Sequence, residues 1–384
     1  MKCQRQKFLL QRKHAYLNCA YMSPLMKKVE KAGAKGLKKK RQPFHISADD
    51  FFKETEDLRV LYSRLIDNDQ PKRVVVIPSV SYGLANVVNN LPFKDGEILL
   101  AEEQFPSNVY PWFKLKEKGF EIKTVSPSDS EKRGESWNSE ILNAINAKTR
   151  VVAIGHVHWS DGTLFELQKI RNKLDQVGGL LIIDGTQSVG ALPFSVKEIR
   201  PDALICAGYK WLMGPYSIGL AYYGAAFDGG EPIEENWINR LNSEDFSNLV
   251  NYQPEYQEMA LRYEVGEHSN FILVPMLHQA IRQILSWQPD NIQVYTQELL
   301  REAIKELTEL GFGIEDEAFR AHHLFGIRLP KTVSVDALKA SLTRNRVSVS
   351  FRGKAVRVSP HVYNDEMDVR KLLKAMKEPI FASR

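Results

Sequence analysis

The sequence predicts an α/β protein: a mostly parallel, seven-stranded sheet with helices on both faces, followed by a smaller α+β domain at the C-terminus. Three observations predict it. Between about Arg73 and Gly224, short β-rich runs alternate with helical patterns, as in strands joined by crossover helices. Several of those runs are apolar throughout, as strands buried on both faces are. After Pro254 the pattern changes to long helical stretches and then a short mixed section.

Taken in order, the chain opens on a basic segment, 1–43. Residues 1–45 hold thirteen Lys/Arg against one acid, Glu30, a net +12, so the remainder carries −7 of the overall +5. The densest part, KKVEKAGAKGLKKKR, has Val29, Ala32 and Leu37 for one side of an amphipathic helix and almost no interleaved aromatics. A solvated helix face is expected there, beside the small domain, rather than a nucleic-acid surface. The large domain is assigned to 44–245. Its strand candidates are RVVVIP, EILLA, FEIKTV, RVVAIGHV, LLIID, ALICAG and IGLAYY, the last one antiparallel because only a short turn precedes it. Its helical candidates are SYGLANVVNNL, SNVYPWFKLKEKG, SEILNAINA and LFELQKIRNKLDQVG. Pro232 to Pro254 is polar and irregular and crosses between domains. The small domain, 246–384, has helices in FILVPMLHQAIRQILSW, NIQVYTQELLREAIKELTELG and DEMDVRKLLKAMK, with strands between HHLFGIRLP and VRVSP.

Hydrophobic content of 43% with 26% charge is ordinary for a globular protein. No apolar stretch reaches membrane-spanning length, and FLL is too short for a signal peptide. Cys3, Cys19 and Cys206 have no paired spacing, which fits a reducing, cytoplasmic setting.

In open α/β sheets ligands sit outside the carboxyl ends of the strands, where Ser81, Asp184 and Lys210 all fall. Asp184 ends LLIID and Lys210 follows ALICAG by two residues. Either alone reads as a helix cap or a solvated charge. Together they suit pyridoxal 5'-phosphate: the carboxylate keeps the ring nitrogen protonated, and the amine forms an imine with the aldehyde and then moves the substrate's α-proton.

The segments IIDGTQSVGALP, AGYKWLMGPYSIGLAYY and VRVSPHVYN resemble class V aminotransferase-type enzymes of the fold type I pyridoxal phosphate superfamily, which includes cysteine desulfurases, kynureninases and isopenicillin N epimerase. The resemblance runs from about Tyr16 to the C-terminus. It implies a phosphate loop at Val80 and Ser81, a contact from Gln187 to the ring's phenolic oxygen, and a phosphate contact from Tyr209. It offers two residues to cover the ring: Phe105, with Asn108 close by in EEQFPSNVYPW, or His156 in AIGHVHWSDG. Arg357 matches the arginine that clamps the substrate's α-carboxylate, and Arg352 lies near it. The resemblance further implies a homodimer whose partner chain contacts the phosphate from a G-T segment. Here Glu267 follows Gly266, and a carboxylate would repel a phosphate, so Ser269 or Asn270 is the expected contact.

His156 and His158 form an H-x-H, a metal pair only if further ligands join it. His322 and His323 fall in the small domain's pattern, so no metal is expected. The function implied is that of an enzyme acting on an amino acid with a free α-carboxylate, by transamination or by a lyase reaction at Cβ. Persulfide-forming desulfuration is not expected, because NRVSVSFRGKAV lacks the cysteine that would carry the sulfur. A kynureninase-like hydrolase or an epimerase is the alternative. A metal-dependent hydrolase or a nucleic-acid-binding protein is the remote one.

Overall fold

The structure is a computed structural model that describes residues 1–353 and 355–382. Strand β1 spans Ala15–Tyr16. The large sheet comprises β2 (Val74–Ile77), β3 (Gly96–Ala101), β4 (Phe120–Val125), β5 (Thr149–Gly155), β6 (Leu180–Asp184), β7 (Ala203–Ala207) and β8 (Gly219–Tyr223). Their order across the sheet is β2-β8-β7-β6-β5-β3-β4. Each lies on one of the seven predicted runs. As expected, β8 is antiparallel, pairing with both β7 and β2, while β3 to β7 run parallel.

The unbroken apolar runs follow from two cores. Successive side chains leave a strand on opposite faces. Val74 and Val76 enter one buried cluster while Val75 and Ile77 enter the other, and Leu181 and Ile183 part from Leu180 and Ile182 in the same way.

The small domain's antiparallel sheet has the order β12-β13-β10-β9, from β9 (Gly313–Ile314), β10 (Phe325–Arg328), β12 (Ser350–Arg352) and β13 (Ala355–Val358). Strand β11 (Val347–Ser348) instead pairs in parallel with β1. The N-terminal segment is thereby tied to the small domain, and Ala15 and Leu17 join its core with Leu300, Phe325 and Val356. The helix Leu273–Trp287, assigned to the small domain from the sequence, packs its Leu277, Ile281 and Ile284 into the cluster on one face of the large sheet. The expected break at 246 therefore falls among elements that belong with that sheet.

Two local expectations need correcting. In the basic helix Lys27–Lys39 the packed face is Val29, Gly33 and Gly36, whereas Leu37 is exposed. The two glycines let the helix backbone press on the helix Leu273–Trp287: a Cβ on Gly36 would overlap the Phe271 carbonyl, and one on Gly33 the Met276 side chain. SNVYPWFKLKEKG does not make one helix. It breaks into short turns at Pro106–Asn108, Tyr110–Phe113 and Lys114–Lys118, because two prolines fix turn starts and Gly119 ends the last at φ 96°.

Candidate active site

The carboxyl ends of β2, β3, β5, β6 and β7 open into one cavity of about 370 Å³. Its floor holds the two residues the sequence singles out. Asp184 closes the buried strand β6, and its carboxylate accepts the Thr186 N–H at 3.0 Å. Burial pushes its pKa up, against the Thr186 hydrogen bonds and the Lys210 charge, which pull it down. Lys210, 6% exposed, stands past β7 with its Nζ 5.3 Å from the Phe105 ring centre and 5.6 Å from that of Tyr209. Among the described residues nothing hydrogen-bonds that Nζ. Burial lowers its pKa to about 8; Asp184 opposes the shift, and the charges of Arg357 and Arg352 reinforce it. An unpartnered amine that loses its proton near pH 8 is a nucleophile and a base.

Above β2, the helix Val80–Asn89 points its first turn at the cavity. Ser79 caps it, accepting the Tyr82 N–H at 3.2 Å, and its Oγ lies 3.0 Å from that of Ser81. The N–H groups of Val80 and Ser81 belong to the first turn and have no acceptor within the helix. Two hydroxyls and free N–H groups at a helix N-terminus form a cradle for an anion such as a phosphate.

Two amides in the wall lack partners for buried atoms: Nδ2 of Asn108, whose Oδ1 accepts from Trp112, and Oε1 of Gln104. Buried amide atoms left without partners call for a ligand or water. The Gln187 amide lines the cavity, held between Trp211 Nε1 (2.9 Å) and the Ala20 carbonyl (3.2 Å). Tyr209 also lines it, half-buried, with its ring tilted on Tyr216.

The two candidates for covering a ring part company. Phe105 lines the cavity, edge-on to Trp159 at 5.4 Å. His156 is absent from the lining. Strand β5 ends at Gly155, and the chain bends at His156, whose ring packs edge-on against Phe194 while Val157, His158 and Trp159 line the cavity. The His156 imidazole, lowered to about 3 by burial and the neighbouring His323, is neutral. His158 does line the cavity, but Ser160 and Asp161 engage its Nδ1 and the Glu102 carbonyl its Nε2. Among the described residues no cluster suited to a metal occurs.

Arg357 is 1% exposed. Its Nη1 donates to the Trp159 carbonyl at 2.7 Å, Nη2 lies 3.5 Å from Ser350 Oγ, and Nε has no partner. Burial and the Arg352 charge lower its pKa to about 9. Arg352 gives Nη1 to the Phe351 carbonyl at 2.8 Å, leaves Nε without a partner, and sits 5.3 Å from the Trp159 ring centre. Neither arginine lines the cavity itself; both stand against Trp159, which does. Asn270 lies away from this cavity, exposed, capping the next helix through the N–H groups of Ile272 and Leu273.

Sequence reasoning missed Ser79 and Gln104, each beside a residue it chose, and Trp159, three residues after His156. It also missed the N-terminal segment's part. Ser23 donates to the Tyr209 carbonyl and Ala20 receives Gln187, while Asn18 accepts from Ser350 Oγ, against which Arg357 lies. Such contacts, about 170 to 330 residues apart, have no local signal.

A free amine, a carboxylate across from it and an anion cradle at a helix end together suit a phosphorylated aldehyde whose ring nitrogen takes a proton, and so define a pyridoxal-phosphate site. The family model "Aminotransferase class-V" matches residues 24–375, so the chain belongs to that family, and its cofactor is pyridoxal 5'-phosphate. Among curated relatives, the uncharacterized aminotransferase YcbU of Bacillus subtilis is 24% identical over 324 residues, covering 83% of this chain and 81% of its own. The apo cysteine desulfurase of Thermococcus onnurineus superposes with a TM-score of 0.84 at 22% identity, covering 100% of this chain and 99% of its own. The cystine C–S lyase C-DES, in complex with its product cysteine persulfide, gives 0.83 at 19%, covering 96% and 98%. The likeness to these two structures is one of fold.

Proposed function

We propose that the protein removes the α-proton of an amino acid bearing a free α-carboxylate, in a transamination or in an elimination at Cβ. The observation that carries the reading is Lys210 Nζ, buried, unpaired and lowered to about 8, opposed by the charge of Asp184 and within the field of two arginines that have no carboxylate partner among the described residues. The bound cofactor supplies an electron sink that stabilises negative charge at the substrate's α-carbon. Asp184 would hold a proton on the bound ring's nitrogen, whose positive charge would offset the burial that raises the carboxyl's pKa. Val80, Ser81 and Ser79 would hold the phosphate, Phe105 and Gln187 would line the ring's place, and the unpartnered Asn108 Nδ2 would offer it an amide donor. Arg357, whose Nη1 is tied to the Trp159 carbonyl at the cavity wall and whose Nε has no partner, is assigned the α-carboxylate, which would orient the α-hydrogen. Lys210 takes that proton and returns it.

Three considerations support a reaction that leaves no sulfur on the protein. No thiol lines the cavity among the described residues. Cys206 is buried in β7, and Cys19, fully buried, is pushed up to about 12 and stays protonated. Cys3 sits instead by Arg5 and Phe8, in a separate surface hollow. YcbU's name as an aminotransferase also leans toward group transfer. We further propose a homodimer, with Ser269 or Asn270 facing the partner's phosphate; Asn270 Nδ2 remains available beside its capping Oδ1.

The test incubates the holoenzyme with single amino acids, with and without a 2-oxo acid acceptor, and measures ammonia and new amino acid. Acceptor-dependent amino transfer, or acceptor-independent ammonia with a 2-oxo product, is the expected outcome. Alanine or elemental sulfur from cysteine as the sole product would contradict it.

A further inference from the structure

Lys210, Arg352 and Arg357 form one electrostatic cluster: both arginines depress the lysine, and Arg352 depresses Arg357. Asp184 is the carboxylate that answers Lys210. The acids on the nearby loops are engaged elsewhere, Glu103 and Asp161 both pairing with Arg133. Among the described residues neither Arg352 nor Arg357 meets a carboxylate. A single α-carboxylate neutralises one guanidinium. The second remains, partly buried, with Nε stripped of water and of partners, a costly state unless a ligand completes it.

The cofactor's phosphate is badly placed to be that ligand. Its cradle follows β2, whereas Trp159 follows β5, four strands along the order β2-β8-β7-β6-β5. At about 4.8 Å per strand the two ends lie far apart. Arg352 is also fixed for a planar anion. Its Nη1 is tied to the Phe351 carbonyl and its guanidinium lies over Trp159, which leaves the Nε–Nη2 edge, the side that grips a carboxylate with two parallel hydrogen bonds. Trp159 joins the two arginines, giving its carbonyl to Arg357 and its ring to Arg352, while lining the cavity.

We propose that Arg352 is a second anion subsite, so that the substrate is an amino acid with an acidic side chain: the α-carboxylate on Arg357, the side-chain carboxylate on Arg352. The proposal rests on the reading that an amino acid is held by Arg357, and the following titration separates the two. Holoenzyme is titrated with L-aspartate and L-glutamate and with their amides, L-asparagine and L-glutamine, and the visible spectral change gives each half-saturating concentration. The better acid half-saturates roughly 10–100-fold below its amide, as loss of a charge-assisted pair implies. Arg352→Gln brings that ratio close to one, and Arg352→Lys, which keeps the charge without the fork, restores part of it. An undisturbed cofactor band in both variants reports an intact site. A wild-type ratio near one, or a ratio that survives Arg352→Gln, overturns the subsite and leaves the amino-acid reading standing. A spectrum that no amino acid perturbs overturns both.

Discussion

The two sides of the cavity are built by opposite means. On the sheet side, Asp184 and Lys210 stand at the ends of neighbouring strands, joined through the register Asp184–Ile205, and the opposed charges act on each other directly. On the small-domain side, Arg352 and Arg357 come from β12 and β13, reach the cavity only through Trp159, and meet no carboxylate among the described residues. One side is nearly balanced before anything binds. The other is a pair of cations held ready for anions. On the proposals above, the contrast separates cofactor chemistry, assigned to the sheet side, from substrate selection, assigned to the small-domain side.

Breaking the sheet side costs most. Asp184→Ala is expected to retain cofactor yet lose turnover by roughly 10²–10³, the scale of losing one preorganised electrostatic partner. Steady-state kcat on the best amino acid checks this, and near-wild-type turnover would show that the carboxylate has another role. Arg357→Lys sharpens the contrast. With a point charge replacing a fork, KM should rise roughly 10–100-fold while kcat falls less. An unchanged KM would move the clamp elsewhere.

How far the sequence revealed these two sides follows from the same difference. The large sheet was legible because a strand buried on both faces must be apolar at every position, as LLIID and ALICAG are. The Asp184–Lys210 pair was legible because neighbouring strand ends converge whatever the loops do. The choice between Phe105 and His156 was not: both follow strand ends, and only the bend after β5 sets His156 against Phe194 while Phe105 lines the cavity. The basic helix misled because glycines carried its packing. Val29, Gly33 and Gly36 form a face that a search for apolar side chains overlooks. The isolation of the two arginines was invisible, since it depends on where Glu103 and Asp161 find their partner, Arg133.

The most direct test of the account is to let apoenzyme capture pyridoxal 5'-phosphate at several pH values, fix the product with borohydride and map the labelled peptide. The label should fall on Lys210, and the initial capture rate should rise about tenfold per unit below pH 8 and level off above it. The neutral amine is the reactive form, and burial has lowered its pKa to about 8. A label on another lysine, or a rate that keeps climbing past pH 10 as for an ordinary exposed lysine, would contradict the account.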